Sequence, residues 1–378
     1  MTMTPGSVRV PPPLGGISAT KSGKFLTLEA GRGLAALIVL VRHACVHAFE
    51  GPQPVLLLPL PSATAVMFFF VLSGFVMRRS AKAKSSSPAG ALRFLAERAA
   101  RIYPVYWVVL GATLLSWPFL FRADSVVSWL LLQPMPLPLA EFLPRLIVPQ
   151  AWTLHWEVFF YLMFAIALAL GSRWTFLLLW LGSILIRPLF PIDSLSTSLQ
   201  TIIALVSDPL GLLFLTGVAV ADISAATDFT RRSSWLLLAV AVAFTSYGIW
   251  QGSLGLFLPV TQADTIVNCL GLGSLVLALV NLERNGAIRL GRMAALLGRL
   301  SYPLYISHWL FMELLFKVMW LQGIVILPWP NAALLIATSI IGGTVVFFAV
   351  DAPVQKLISW LKKLWRDVAT PAHSSHTL

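Results

Sequence analysis

The sequence predicts an all-α, polytopic membrane protein with about ten transmembrane helices, both termini cytoplasmic, and a re-entrant or interfacial element near 126–150. Three observations carry this expectation. Hydrophobic residues make up 58% and charged residues 11% of the 378 positions, with a mean hydropathy of +0.83, more apolar surface than a soluble core can hide. Ten apolar runs approach the roughly 20 residues that a helix needs to cross a bilayer; they lie at 26–49, 54–77, 102–121, 151–170, 174–190, 199–221, 235–250, 265–282, 300–322 and 331–350. Finally, 21 of the 27 Lys and Arg fall in the alternate segments 1–25, 78–101, 171–173, 222–234, 283–299 and 351–378. Cytoplasmic loops collect such residues, so the asymmetry places both ends inside. In a soluble chain the net charge of +12 would suggest nucleic acid; here it orients the protein, and no nucleic acid is expected.

Residues 1–25 are rich in Pro, Gly, Ser and Thr and read as a flexible cytoplasmic leader, without the apolar core and cleavage site of a removable signal peptide. The membrane domain is expected over 26–353. Its first span, LEAGRGLAALIVLVRHACVH, carries Glu29, Arg32, Arg42, His43 and His47, and ionisable groups in lipid cost enough to imply a task. Arg32 and His43 stand eleven residues apart, about three helical turns, so they share a face and sit about 16 Å apart along it. His43 and His47 have the spacing of a helical metal pair, but no third ligand accompanies them and no metal is expected. In the second span, Ser73-Gly74 suits close helix packing better than a nucleophile. Cys45 and Cys269 both lie in apolar runs and read as small packed hydrophobes.

The loop 78–101 is the most basic segment. Arg78, Arg79, Lys82 and Lys84 suit orientation and contact with anionic headgroups. Arg98 and Arg101 share one face just before Tyr103-Pro104 opens the third span, and their guanidinium forks suit phosphate groups such as those of coenzyme A. The Pro-rich stretch after Val126–Leu132 is the expected re-entrant element. In the fourth span, AWTLHWEVFFY, Glu157 should lie about 9 Å below the outer surface and His43 within about 10 Å of it, so the two are expected to share a depth. A structural Glu held by hydroxyls or Trp N–H groups is the plain alternative. In the ninth span Ser301, Tyr305 and His308 follow at i, i+4 and i+7 and line one face, either as a polar groove or around a core His bonded to a hydroxyl. Glu313 and Lys317 are spaced to pair within that helix. Residues 354–378 close the chain as a basic cytoplasmic tail.

These motifs together resemble the membrane-bound acyltransferase 3 family. Arg32-x10-His43 within GRGLAAL, FFVLSGF at 69–75, Arg98-x-x-Arg101 before Tyr103-Pro104, Trp152-Thr153-Leu154 with Glu157 and Phe160-Tyr161, and Gly298 with Ser301-Tyr302, Tyr305 and His308 occur in the family's order. Each pattern alone is weak; five in sequence are specific. The last helix departs from the pattern, with Asp351-Ala352-Pro353 where a Glu is usual, and the WTLHWEVFFY variant is similar to members that decorate exopolysaccharides. No additional hydrolase-like domain is expected, since the chain ends 28 residues after its last span.

The resemblance implies a multi-pass enzyme of the bacterial cytoplasmic (inner) membrane that moves an acyl group, commonly acetyl, from acyl-CoA to a carbohydrate hydroxyl. His43 would be the general base. Arg98 and Arg101, aided by Arg32, would hold the phosphates of acetyl-CoA. Glu157 would orient or tune His43, and Ser301, Tyr305 and His308 would position the thioester or stabilise the oxyanion. The implied partners are acyl-CoA, the carbohydrate acceptor and the lipid bilayer; the oligomeric state is left open. A transporter or flippase of a lipid-linked sugar is the alternative, although no internal repeat or paired broken helices appear.

Overall fold

Among the described residues each apolar run carries a helix, the form that satisfies backbone N–H and C=O groups where water is absent. The structure, a computed structural model, describes residues 25–49, 62–81, 86–120, 130–132, 146–171, 173–192, 194–252 and 261–369. No strand occurs among them. In order, the helices are α1 (Leu26–Ala48), α2 (Ser62–Ala81), α3 (Pro88–Ser116), α4 (Trp152–Ala169), α5 (Arg173–Ile186) and α6 (Thr197–Val206). They continue as α7 (Leu210–Ala226), α8 (Arg231–Gly252), α9 (Gln262–Arg284), α10 (Arg292–Leu321), α11 (Pro328–Val346) and α12 (Ala352–Ala369).

By length and composition, eight helical stretches among the described residues can cross a membrane, rather than ten. These are α1, α2, α3, α4 with the 3-10 turn that leads into it, α6 joined to α7, α9, α10, and α11 running on into α12. Helix α5 has 14 residues, about 21 Å of rise against a hydrocarbon core of roughly 30 Å. Helix α8 has 22 residues and covers the seventh predicted run. Of the expected re-entrant element, 121–129 and 133–145 lie outside the described residues, as do 1–24 of the leader, 82–85 of the basic loop and 370–378 of the tail.

The basic loop is shorter than the sequence suggests. Helix α3 starts at Pro88, with Ser87 as N-cap: its hydroxyl accepts from the Gly90 N–H at 3.1 Å and proline occupies the first turn. Arg98 and Arg101 therefore lie within a helix that continues through Pro104. Arg78, expected at the headgroups, is instead buried, paired with Asp222 of α7 at 2.6 Å and stacked over Trp174. The other end of the chain also differs. Pro353 has no N–H for the Ala349 carbonyl, and the backbone widens into a π turn over Phe347–Asp351 before α12. The tail is helical to Ala369, exposing Leu357, Trp360 and Leu361 beside lysines, one of which, Lys362, reaches Glu97 of α3 at 3.5 Å.

Helix α1 is central, touching α2, α9, α10 and α11, while α2 runs along α7 and α8 along α9. The α2–α7 contact is closer than side chains permit. A Cβ on Gly217 would meet the Val71 carbonyl oxygen, and one on Gly74 the Phe214 carbonyl oxygen, so the backbones touch. Gly74 thus does pack as its sequence context suggested. Beneath this seam Phe160, Phe164, Trp180 and Phe214 form an aromatic cluster, Phe160 stacking on Phe214 at 5.0 Å.

The start of α1 is anchored from another helix. Glu283, near the end of α9, accepts from the N–H groups of Leu26 and Thr27 at 2.9 and 2.8 Å and from the Thr27 hydroxyl at 2.6 Å. A carboxylate there satisfies orphan helix donors and complements the helix dipole. Glu283→Ala is expected to destabilise the protein by about 1–2 kcal/mol, read as a melting temperature lowered by several degrees in detergent, with Glu283→Gln intermediate.

Candidate active site

The site forms where α1, α3, α4 and α10 meet. Helix α10 packs against α1 through Gly298, where a Cβ would collide with Glu29. This contact sets the register of the two helices, and two to three turns later it brings His308 to His43. The imidazoles are stacked, with centroids 5.1 Å apart and planes 10° from parallel, and His43 Nδ1 lies 2.8 Å from His308 Nε2. His308 is fully buried and its Nδ1 lies 2.7 Å from the Tyr305 carbonyl.

Protons on this chain are assigned from its partners. A carbonyl only accepts, so His308 Nδ1 carries a hydrogen and, in the neutral ring, Nε2 is the acceptor. His43 must then donate from Nδ1. Its Nε2 is left as an unprotonated nitrogen, with no partner among the described residues. A base held in one tautomer by a second group that is itself anchored is the arrangement general-base catalysis needs.

Toward the start of α1 lies a charged cluster. Arg32 pairs loosely with Glu29 at 3.9 Å, and Arg101 and Glu157 lie within electrostatic reach of it. Glu157 accepts hydrogen bonds from Ser73 at 2.8 Å and from the Tyr161 hydroxyl. Arg98 stands over the rings of Phe94 and Tyr161 and donates to Ser80 at 2.6 Å. Asp351, buried at the end of the π turn, adds its carboxylate within reach of Arg101 and Arg32. Arg101 itself forms no hydrogen bond or ion pair among the described residues and keeps part of its surface exposed.

The anchored imidazole of α1 and α10 and the arginines of α1 and α3 suit acyl transfer, and comparison with known proteins supports a membrane acyltransferase. Residues 25–348 match the acyltransferase 3 family profile, described as an acyltransferase domain. The chain belongs to the acyltransferase 3 family. It is 29% identical over 260 residues to the exopolysaccharide production protein ExoZ of Rhizobium meliloti (strain 1021), covering 65% of this chain and 75% of that protein. It is 33% identical over 137 residues to "Protein 2 in picA locus" of Rhizobium radiobacter, covering 35% of this chain and 61% of that protein. No solved structure matches it significantly. The protein is therefore a membrane acyltransferase, and the transporter alternative is set aside.

Within this family member, several expected roles change place. Glu157 does not share a depth with His43, because α4 begins inside the bundle and not at its surface. Gln150, in the turn before α4, donates to the Ile306 carbonyl, and the hydroxyls of Thr153 and Tyr305 lie 3.1 Å apart. Glu157 follows one turn beyond Thr153, held by Ser73 and Tyr161 and within electrostatic reach of both Arg32 and Tyr305. Ser301 donates to its own helix at the Gly298 carbonyl, 2.7 Å away, so the expected polar face reduces to Tyr305 and His308. Glu313 and Lys317 do not pair: Glu313 lies 3.8 Å from His47, and Lys317 donates to the Ser116 carbonyl at 2.9 Å.

Sequence reasoning assigned Ser73, Trp309 and Gln150 no part in the site, and named Tyr161 only within the fourth-span motif. Ser73 had been assigned to packing, although its hydroxyl meets Glu157. Tyr161 is four residues after Glu157 on the same helix face, a signal that could have found it. Trp309, edge-on to His43 at 5.4 Å, and Gln150 had none, since both owe their place to tertiary contacts.

Proposed function

We propose that the protein transfers an acyl group, acetyl in the simplest case, from cytoplasmic acyl-CoA to a hydroxyl of an extracytoplasmic or lipid-linked carbohydrate. The observation that carries this reading is the His43–His308–Tyr305 chain, which leaves His43 Nε2 as a free acceptor. The acceptor O–H gives its proton to that nitrogen as the oxygen attacks the thioester carbonyl. The C–S bond breaks, and the departing thiolate takes the proton back from the imidazolium. His308 does not touch substrate and acts as a positioning residue. The name of the ExoZ relative, an exopolysaccharide production protein, supports a carbohydrate acceptor.

Arg32, Arg98 and Arg101 would hold the phosphates of coenzyme A by charge-assisted bonds. Their distance from His43 suits a carrier with a long arm, because the reacting carbonyl must travel about 16 Å along α1 from the arginine level. A bacterial inner-membrane location with both ends cytoplasmic puts the arginines at the side where acyl-CoA is made. Arg101, which forms no hydrogen bond or ion pair among the described residues, is expected to matter most for binding: Arg101→Gln raises the KM for acetyl-CoA about tenfold, the loss of roughly one charge-assisted bond. Arg98→Gln, whose side chain also packs on Tyr161, has a smaller effect on KM. Saturation kinetics in lipid nanodiscs check both.

The deciding experiment incubates the purified protein with radiolabelled acetyl-CoA and neutral surface-glycan oligosaccharides. Base-labile label on the sugar is expected. Label that stays on coenzyme A with every glycan tried, from protein that binds acetyl-CoA, overturns the reading.

A further inference from the structure

Helix α12 carries an apolar stripe that the described helices leave open. Leu357, Trp360, Leu361 and Leu364 recur at i, i+3, i+4 and i+7, the spacing of one helix face, and each is 41% exposed or more. Lys356, Lys362 and Lys363, all exposed, fall on the remaining sides by the helical repeat, and residues 352–364 contain no carboxylate. We propose that α12 is a membrane-surface helix: its stripe sinks into the headgroup layer beside the bundle, and its lysines bind anionic phospholipid. The proposal goes beyond the acyl-transfer reading and does not depend on it.

The first argument is length. Helices α11 and α12 form one run, Pro328–Leu364, of 37 residues. At 1.5 Å per residue it would extend about 56 Å, against roughly 30 Å of hydrocarbon and 40–45 Å with the headgroups included. Helix α11, with 19 residues, rises about 28 Å and completes the crossing by itself. The π turn at Phe347–Asp351 then falls at the membrane edge, and α12 begins where the headgroups do. The second argument is the make-up of the helix. A stripe of Leu and Trp opposite lysines is the pattern of helices that lie in the interface plane, and an indole such as that of Trp360 favours the headgroup level.

The third argument is placement. Asp351 lies within electrostatic reach of Arg101, and eleven residues later Lys362 meets Glu97, one turn from Arg101 in α3. Helix α12 thus advances about 16 Å while α3 advances about 6 Å, an offset that fits a helix leaning across the end of α3. The Lys362–Glu97 pair, at 3.5 Å, engages a lysine and not the stripe, so Leu357, Trp360, Leu361 and Leu364 stay available to lipid. The fourth is charge. Arg93 stands exposed on the same stretch of α3, where it also approaches Glu97, and it extends the basic surface of α12. Lysines and arginines held at a membrane surface attract anionic headgroups.

The test uses the full chain, one copy per nanodisc, with a nitroxide attached at Leu361→Cys in the stripe or at Ser359→Cys on the other side; the unsubstituted chain supplies the background from Cys45 and Cys269. In discs containing phosphatidylglycerol, the ratio of collisions with oxygen to collisions with a neutral, water-soluble nickel chelate should be at least threefold higher at 361 than at 359. Discs of phosphatidylcholine alone should lower that contrast by about half. Lys356→Gln/Lys363→Gln should melt as wild type and erase the difference between the two lipids; Lys362 is kept for its pair with Glu97. Equal ratios at 361 and 359 overturn the proposal, as does a label at 361 shielded from both reagents, which would place it beneath another protein segment. The anionic-lipid part is overturned if wild type gives the same contrast in both lipids or the double variant keeps the difference.

Discussion

His43→Ala lowers acyl transfer by roughly 10²- to 10⁴-fold, the usual contribution of a positioned general base, while the protein still reaches the membrane and melts as a single species. The expectation is this large because nothing else at that level can replace the imidazole. His308, the nearest titratable ring, has its Nδ1 committed to the Tyr305 carbonyl and its Nε2 to His43. Paired variants separate the two histidines. His308→Gln keeps an amide oxygen that can accept from His43 Nδ1 and should retain much more activity than His308→Phe, which releases the tautomer. Both should leave the KM for acetyl-CoA unchanged and lower kcat. Equal kcat in the two variants would show that His308 serves packing alone.

Gly217→Leu is expected to abolish the folded protein, and Gly217→Ala to reduce its yield and melting temperature sharply. Overpacking an ordinary core costs about 1–3 kcal/mol. Here the clash is worse, because the first atom beyond Cα already meets backbone, the Val71 carbonyl oxygen, and not the yielding end of a side chain. Helices α2 and α7 would have to part, and α2 carries Ser73, the partner of Glu157. Size-exclusion profiles and thermal melts of the purified variants measure the effect; Gly182→Ala on α5, where an added Cβ meets nothing, is the control. A monodisperse Gly217→Leu melting at the wild-type temperature would refute the close approach.

The helical class and most helix positions were legible because they depend on local composition. An apolar run of bilayer length has few alternatives to a helix. Boundaries were harder where polar sequence continued a helix, as in α3, which extends back to Pro88 on the strength of a Ser87 cap. Among the described residues, α5 is the apolar run whose 14-residue helix falls short of a bilayer crossing. Arg78 shows the limit of reading charge from a loop: its partner Asp222 is 144 residues away, and no local pattern announces it.

The candidate site divides in the same way. Arg32 and His43 lie on one helix, so their shared face follows from the helical repeat alone, and the i, i+4, i+7 spacing likewise put Tyr305 and His308 on one side of α10. Glu157 was placed wrongly because its depth was counted from a helix end assumed to lie at the surface, whereas α4 starts within the bundle.

The sequence by itself determined that this chain is helical, lives in a membrane and carries an arginine and a histidine three turns apart, because these properties depend on residue type and a fixed helical period. Only the tertiary structure decided which nitrogen of His43 is free, that Ser73 and Tyr161 hold Glu157, and that Gln150 and Trp309 border a cavity. Each of those depends on how helices distant in the chain lie against one another, and that is set at contacts such as Gly298 on Glu29 and Gly217 on Val71, where the absence of a side chain lets two backbones meet.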